Sequence, residues 1–192
     1  MHKHLFFVLG LLFIGLGAAP SALATITLTF DDLPSGTDVA SHYAGIGVTA
    51  SGATALVATS TPWPANSGLN IAYAPTGLMT FLLNSVITGN VETVSAYISD
   101  ESSVGIYAYD AADVLLGQVV TLGADDNTFL SFTSAGNPIA RIAIHDSGSS
   151  FAVDTLTFVS AAAVPEPMSL ALLGLGLGAM TLTRRCRHRG NA

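Results

Sequence analysis

The chain has 192 residues, half of them hydrophobic, with thirteen acidic and six basic side chains and one cysteine. Twelve of the acids but only one basic residue, Arg141, stand between positions 25 and 163, so that stretch has a formal charge of −11. Such a body repels nucleic acid and attracts cations. The lone cysteine, Cys186, lies outside it, which excludes a disulfide or a thiolate metal site there.

Residues 1–24 read as a secretory signal. Lys3, with His2 and His4, forms a positive start, and residues 5–17 are apolar. Pro20 breaks the run, and Ala22-Leu23-Ala24 supplies the small-x-small pattern that signal peptidase cleaves. The alternative is an uncleaved anchor, against which the short apolar run argues. Passage through the Sec translocon and across an inner membrane follows from the signal.

The body, 25–160, is expected to be one all-β domain. Residues 25–30 alternate: Ile26, Leu28 and Phe30 on one side, Thr25, Thr27 and Thr29 on the other. Further predicted strands are 46–50, 53–59, 78–83, 91–99, 104–109, 114–121, 128–133, 139–145 and 151–159. Turn-forming clusters such as Ser51-Gly52 and Asn137-Pro138 separate them. No long helical period precedes residue 168 and no internal repeat is visible. Many short strands at near-regular spacing predict a β-sandwich or jelly roll.

Three kinds of site follow from the residues. For an enzyme, Ser41-His42 and His145-Asp146 are neighbours in sequence, but a triad forms in space. There is no Gly-x-Ser-x-Gly and no His-x-x-x-His, and the aspartates stand in turns, where backbone reasons suffice. A secreted hydrolase is therefore a distant third reading. For sugar binding, Pro62-Trp63-Pro64 holds the only tryptophan in a polar loop, with Tyr73 ten residues on. An exposed Trp63 would offer a flat face to a sugar ring, with Asn66 or Asn70 for its hydroxyls. A Trp63 packed onto the sandwich would instead anchor the loop. Tyr107 and Tyr109 share one face of a strand, as a second aromatic patch or as ordinary sheet surface.

For a cation, strand parity is the guide. Asp32 continues the parity of Ile26, Leu28 and Phe30, and Asp154 that of Leu156 and Phe158. If the first and last strands pair antiparallel, both acids point coreward and converge. Two buried carboxylates need a cation or donors, and Ca²⁺ suits an exported acidic protein, with Asp31 to complete the shell. Arg141, of opposite parity to Ile142 and Ile144, is expected to point outward. The other reading has Asp32 capping its turn and Asp154 accepting backbone N–H bonds.

A second apolar run, 168–183, follows a short linker from 161. As a helix it would be roughly 24 Å long at ~1.5 Å per residue, short against a bilayer core of about 30 Å. Arg184 and Arg185 lengthen it by snorkelling, and with Arg187 and Arg189 they place the C-terminus in the cytoplasm. An ordinary single-span tail would look much the same, and Cys186 gives only weak grounds for lipidation.

Val164-Pro165-Glu166-Pro167, the Leu/Gly/Ala span and the terminal arginines together resemble the PEP-CTERM sorting signal. That resemblance implies a Gram-negative host making exopolysaccharide. It also implies recognition of Pro165, Glu166 and Pro167 by an exosortase, with transfer of the body to the surface or matrix. The two prolines keep this stretch extended beside the span, where a membrane enzyme reaches it.

The body resembles exported β-sandwich proteins carrying this tail, through Thr29-Phe30-Asp31-Asp32-Leu33-Pro34, Tyr43-Ala44-Gly45-Ile46-Gly47-Val48 and 151–158. These are similar to galactose-binding-type carbohydrate-binding jelly rolls, which often carry an ion near their chain ends. The expectation is a non-enzymatic surface or matrix protein. It either binds glycan within exopolysaccharide or fills the matrix as a structural or adhesive component.

Overall fold

The computed structural model describes residues 24–123, 125–146 and 148–161. The rest of the signal, including Ala22, and the sorting tail with Pro165, Glu166, Pro167, Arg184 and Arg185 lie outside the described residues. Among the described residues the fold is all-β. In chain order the strands are β1 (Thr25–Leu28), β2 (Thr37–Asp38), β3 (Val48–Ser51), β4 (Thr54–Val57), β5 (Asn70–Ala74), β6 (Leu78–Leu83), β7 (Val91–Asp100), β8 (Gly105–Tyr109), β9 (Leu115–Val120), β10 (Asp125–Thr133), β11 (Arg141–His145) and β12 (Phe151–Ser160). One helical turn, α1 (Ser85–Thr88), joins β6 to β7. Among the described residues no helix is long and apolar enough to cross a membrane.

The strands form two antiparallel sheets. One runs β10-β7-β12-β5-β4-β2, with β1 also on β12; the other runs β3-β6-β11-β8-β9. Period-2 alternation explains how they stack. Val94, Ala96 and Ile98 of β7 face Ile106, Ile142 and Phe81 of the five-stranded sheet in one buried cluster. Phe30, Phe81, Phe151 and Phe158 are its largest fully buried side chains. Burial of a side chain of this size stabilises by about 1.5–3 kcal/mol.

Strand β12 organises the larger sheet. β7 pairs along its whole length on one side. On the other side β5 takes 151–153 and β1 takes 156–159. Between those partners Thr155 adopts φ 49°, and the register against β7 shifts from Asp154 to Thr157. This is a β-bulge, which reverses the side-chain parity on its two sides. Phe151 and Val153 face the core before it, and Leu156 and Phe158 after it, whereas Ala152 belongs to a separate cluster on the outer face.

The predicted strands appear at near their expected positions, with ends shifted. β1 stops at Leu28, and Phe30 has φ 63°, so the extended run expected to 30 does not continue. β2, β5 and α1 have no counterpart among the predicted strands. β5 is buried at four of its five positions, so it has no polar face and shows no alternation.

Candidate functional site

The outer face of the larger sheet is roofed over β5 and β12, while Tyr97 of β7 and Phe129 of β10 stay open to solvent beside that roof. The loop between β4 and β5 crosses Ala152 and Ile71, and Trp63 is its apolar plug, 5% exposed. The Trp63 and Tyr73 rings lie 5.6 Å apart, tilted by 33°. Of the two readings of Trp63, burial fits the one in which it packs onto the sandwich and anchors the loop, and short hydroxyl bonds hold that loop in place. Thr61 Oγ1 donates to the carbonyls of Ala58 (2.9 Å) and Trp63 (3.0 Å). Asn70 is buried too, and donates to the carbonyls of Phe30 and Leu33 at 3.3 and 2.8 Å.

Two aspartates hold this roof down. Asp154, 2% exposed, accepts the backbone N–H groups of Asn66 (2.8 Å) and Ser67 (2.7 Å) and the Ser67 hydroxyl (3.1 Å). Thr155 N–H and the Thr155 hydroxyl (3.3 Å) donate to it as well. Burial pushes the Asp154 carboxyl above the ordinary range, against the pull of these donors. Asp31 accepts the N–H groups of Leu69 (2.7 Å) and Asn70 (2.9 Å). Gly68, at φ +52°, lets the loop pass against it: a Cβ there would lie 2.1 Å from Asp31 Oδ2.

Asp32 belongs elsewhere. It accepts the Tyr43 hydroxyl at 2.6 Å and meets His42 Nε2 at 2.9 Å. Burial raises its carboxyl, but the bonds from Tyr43 and His42 outweigh that and hold it below its ordinary value. In turn burial and the bonded Asp32 push the Tyr43 phenol up. Of the two readings of these acids, the one with Asp154 accepting backbone N–H bonds fits, and the conditional convergence with Asp32 does not. β1 and β12 do pair antiparallel, but the turn at Phe30 and the bulge at Thr155 break the parity argument at both ends. Asp32 and Asp154 share no hydrogen-bond partner, and Asp154 faces N–H and O–H donors, the reverse of what a cation requires. Among the described residues no group of three or more His, Cys, Asp or Glu is placed to hold a metal ion. His42 pairs with Asp32, but no hydrogen bond joins it to the neighbouring Ser41 hydroxyl, and His145 stacks on Tyr107, so among the described residues neither sequence-adjacent pair is assembled as a triad.

The outer face of the five-stranded sheet is different. Its register aligns Leu82, Arg141, Tyr109 and Leu115 in one row, Thr80, Ala143, Tyr107 and Gln118 in the next, and Leu78, His145, Gly105 and Val120 in a third. Leu78, Leu82 and Leu115 are exposed, and both tyrosines are partly so. Tyr107 and His145 stack with centroids 4.1 Å apart and planes 10° from parallel. The Arg141 guanidinium lies 3.7 Å from the Tyr109 ring centre, and its Nε donates to Asp113 at 2.9 Å. Arg141 does point outward, as expected from its parity. Gly105 leaves room for the neighbouring ring, since a Cβ there would meet Tyr107 at 2.7 Å. None of the twelve positions in these rows is acidic, in a body whose formal charge is −11. The signal available in sequence was the Tyr-x-Tyr spacing; the partners Arg141, His145 and Gln118 come from other strands and register alone reveals them.

A cleft of about 500 Å³ opens between β9 and β10, lined by Val120, Thr121, Leu122, Asp125, Thr128 and Leu130. Beside it Asp100 is buried and pushed up by that burial, with Thr121 Oγ1 donating at 3.0 Å. Its polar lining is short hydroxyls and one exposed carboxylate, which do not converge on a point.

No family model matches the chain, and no curated protein does. Among solved structures it is similar to a family 29 carbohydrate-binding module at 17% identity, over 78% of this chain and 97% of that one, with a TM-score of 0.41. A mutant of such a module complexed with cellulohexaose is 13% identical over 74% and 94% of the two chains, TM-score 0.42. Another, complexed with mannohexaose, is 14% identical over 74% and 94%, TM-score 0.41. Likeness at this level carries no argument about what this chain binds.

Proposed function

We propose that the chain is an exported, non-catalytic glycan-binding protein whose binding face is the outer surface of β6, β11, β8 and β9. The observation that carries this reading is the solvent-facing, carboxylate-free sheet face on which Tyr107 and Tyr109 stand partly exposed beside His145 and Arg141. Tyr107 and Tyr109 stand two residues apart on one strand, about 7 Å at ~3.4 Å rise per residue, so that both rings lie within reach of one polysaccharide chain. Gln118, Thr80 and His145 supply hydrogen-bonding groups beside them. Arg141 is already neutralised by Asp113, so the face suits a neutral glycan better than an anionic one.

The sorting reading is also proposed here, on sequence grounds. The order Pro165-Glu166-Pro167, apolar run, arginines supports transient anchoring in the inner membrane and exosortase processing toward the surface or exopolysaccharide matrix. Affinity electrophoresis through gels containing neutral glucans, mannans or galactans tests the binding. Retardation is expected by at least one of them, weakened about tenfold by Tyr107→Ala, which corresponds to ~1.4 kcal/mol. Retardation by none of them, for a folded body, would leave the matrix-filler reading in its place.

A further inference from the structure

The helix α1 and the turn beside it form an apolar tip. Val86 is 92% exposed, Ile87 52% and Ile46 43%. Gly47, the residue after Ile46, packs tightly against α1, since a Cβ on it would meet the Ile87 Cβ at 2.8 Å. Residues 84–90 carry no charge, although the body as a whole is strongly acidic. Branched apolar side chains grouped on one uncharged, capped turn make this tip a candidate contact for an apolar partner. The turn is a fixed one: Asn84 accepts Val86 N–H at 3.1 Å at its start.

The position of the tip says what that partner is. The Ser160 hydroxyl donates to the Thr88 carbonyl, and Ala161 N–H donates to the Asn90 carbonyl at 2.7 Å. Ser160 N–H donates to the Ala24 carbonyl at 2.9 Å, and Thr25 pairs with Val159. Both chain ends therefore leave the sandwich at this pole, beside the tip. The apolar run 168–183 begins after only six residues, 162–167, a reach of at most roughly 22 Å at ~3.6 Å per extended residue. The leading apolar run, 5–17, also ends shortly before this pole, and the basic residues of both ends lie on the far side of their runs. So short a tether holds the tip at high effective concentration against the bilayer, where even a small apolar contact is populated.

We infer that this pole is a lipid-contacting foot: Val86, Ile87 and Ile46 seat in the interfacial layer of the bilayer while the body is tethered. The inference rests on reading 168–183 as membrane-seated. It sets the orientation in which the 162–167 linker is presented at the membrane surface.

The test uses the full chain reconstituted in phosphatidylcholine vesicles, with Cys186→Ser removing the only native thiol. A polarity-sensitive fluorophore is attached to Val86→Cys or to Leu122→Cys. Leu122 is fully exposed and follows β9 at the opposite end of the sandwich, where Val120 pairs with Gly105. The expected result is a blue-shifted probe at 86, quenched at least twofold by brominated acyl chains, and an unquenched probe at 122. Flotation of the same sample reports whether the chain is on the vesicles. Chain that floats with the probe at 86 unquenched overturns the foot and leaves the tail reading standing. Chain that does not float overturns the tail reading and the foot with it. A blue shift that grows with protein-to-lipid ratio without lipid quenching assigns the tip to a second copy, and also overturns it.

Discussion

The two outer faces of the sandwich start from similar material and end differently. Each carries aromatic side chains at period-2 positions: Tyr73 and Tyr97 on the larger sheet, Tyr107 and Tyr109 on the smaller. Over Tyr73 the β4–β5 loop closes, with Trp63 as plug and Asp31 and Asp154 as clamps. Over Tyr107 and Tyr109 the rows of the sheet stay open, and the rings are dressed only by His145 and Arg141. An aromatic residue in a polar loop is thus no guide to a binding face. What decides is whether buried acceptors exist to tie the loop's backbone down, and here the bulge at Thr155 creates one by turning Asp154 outward from the core.

The roofed face can be broken from either component. Trp63→Ala removes the plug and leaves a cavity against Tyr73 and Ile71; about 4 kcal/mol of stability should be lost, by urea denaturation followed by circular dichroism. Glycan retardation of the fraction that remains folded should not change, since the bare face is on the other sheet. Asp154→Ala leaves the N–H groups of Asn66, Ser67 and Thr155 without their acceptor, at a cost of about 3 kcal/mol. Red-shifted Trp63 fluorescence at low urea, before global unfolding, would show that the clamp acts on the roof.

The bare face should respond in the opposite sense. Tyr107→Ala and Tyr109→Ala together remove two cross-strand contacts on an exposed surface, which costs about 1 kcal/mol. Glycan retardation should nevertheless be abolished. Stability lost by several kcal/mol, with retardation intact, would make these tyrosines packing residues and move the binding face elsewhere.

These contrasts show what the sequence could carry. Strands with one wet face announce themselves by alternation: 78–83 is expected and observed as Leu78–Leu83. β5 is covered on both faces, and its Ala72 and Ala74 have little strand propensity, so nothing marked it. The parity argument for Asp32 and Asp154 had the strand pairing right and the side-chain directions wrong. Positive φ at Phe30 and Thr155 is the cause, and neither residue type signals that conformation, as glycine would. The Tyr-x-Tyr pattern was legible, but its partners Arg141, His145 and Gln118 are brought in by register across β8, β9 and β11.

The smallest expected effect separates the clamp from the Asp32 pair by pH. Asp154 is raised by burial, so the fold favours its protonated form. Its contribution is then present below the ordinary value of 3.8 and lost as pH rises through the elevated folded value. Asp32 is held low, because the Tyr43 and His42 bonds outweigh its burial. Its contribution is present above 3.8 and lost as pH falls through the depressed value. Melting temperatures measured from pH 2.5 to 7 for wild type, Asp154→Asn and Asp32→Asn should therefore diverge in opposite directions. Wild type minus Asp154→Asn falls as pH rises above about 3.8, because the substitution removes a group that the roof prefers neutral. Wild type minus Asp32→Asn rises over the acid end, below about 3.8, because the substitution removes a group that its partners prefer ionised. The rows of the bare face contain no carboxylate, so neither variant should alter glycan retardation over the same range. A rising difference for Asp154→Asn would mean that the donors from Asn66, Ser67 and Thr155 overcome the burial. The roof would then be held by a charged clamp, and low pH alone should loosen it while leaving the bare face of the other sheet unchanged.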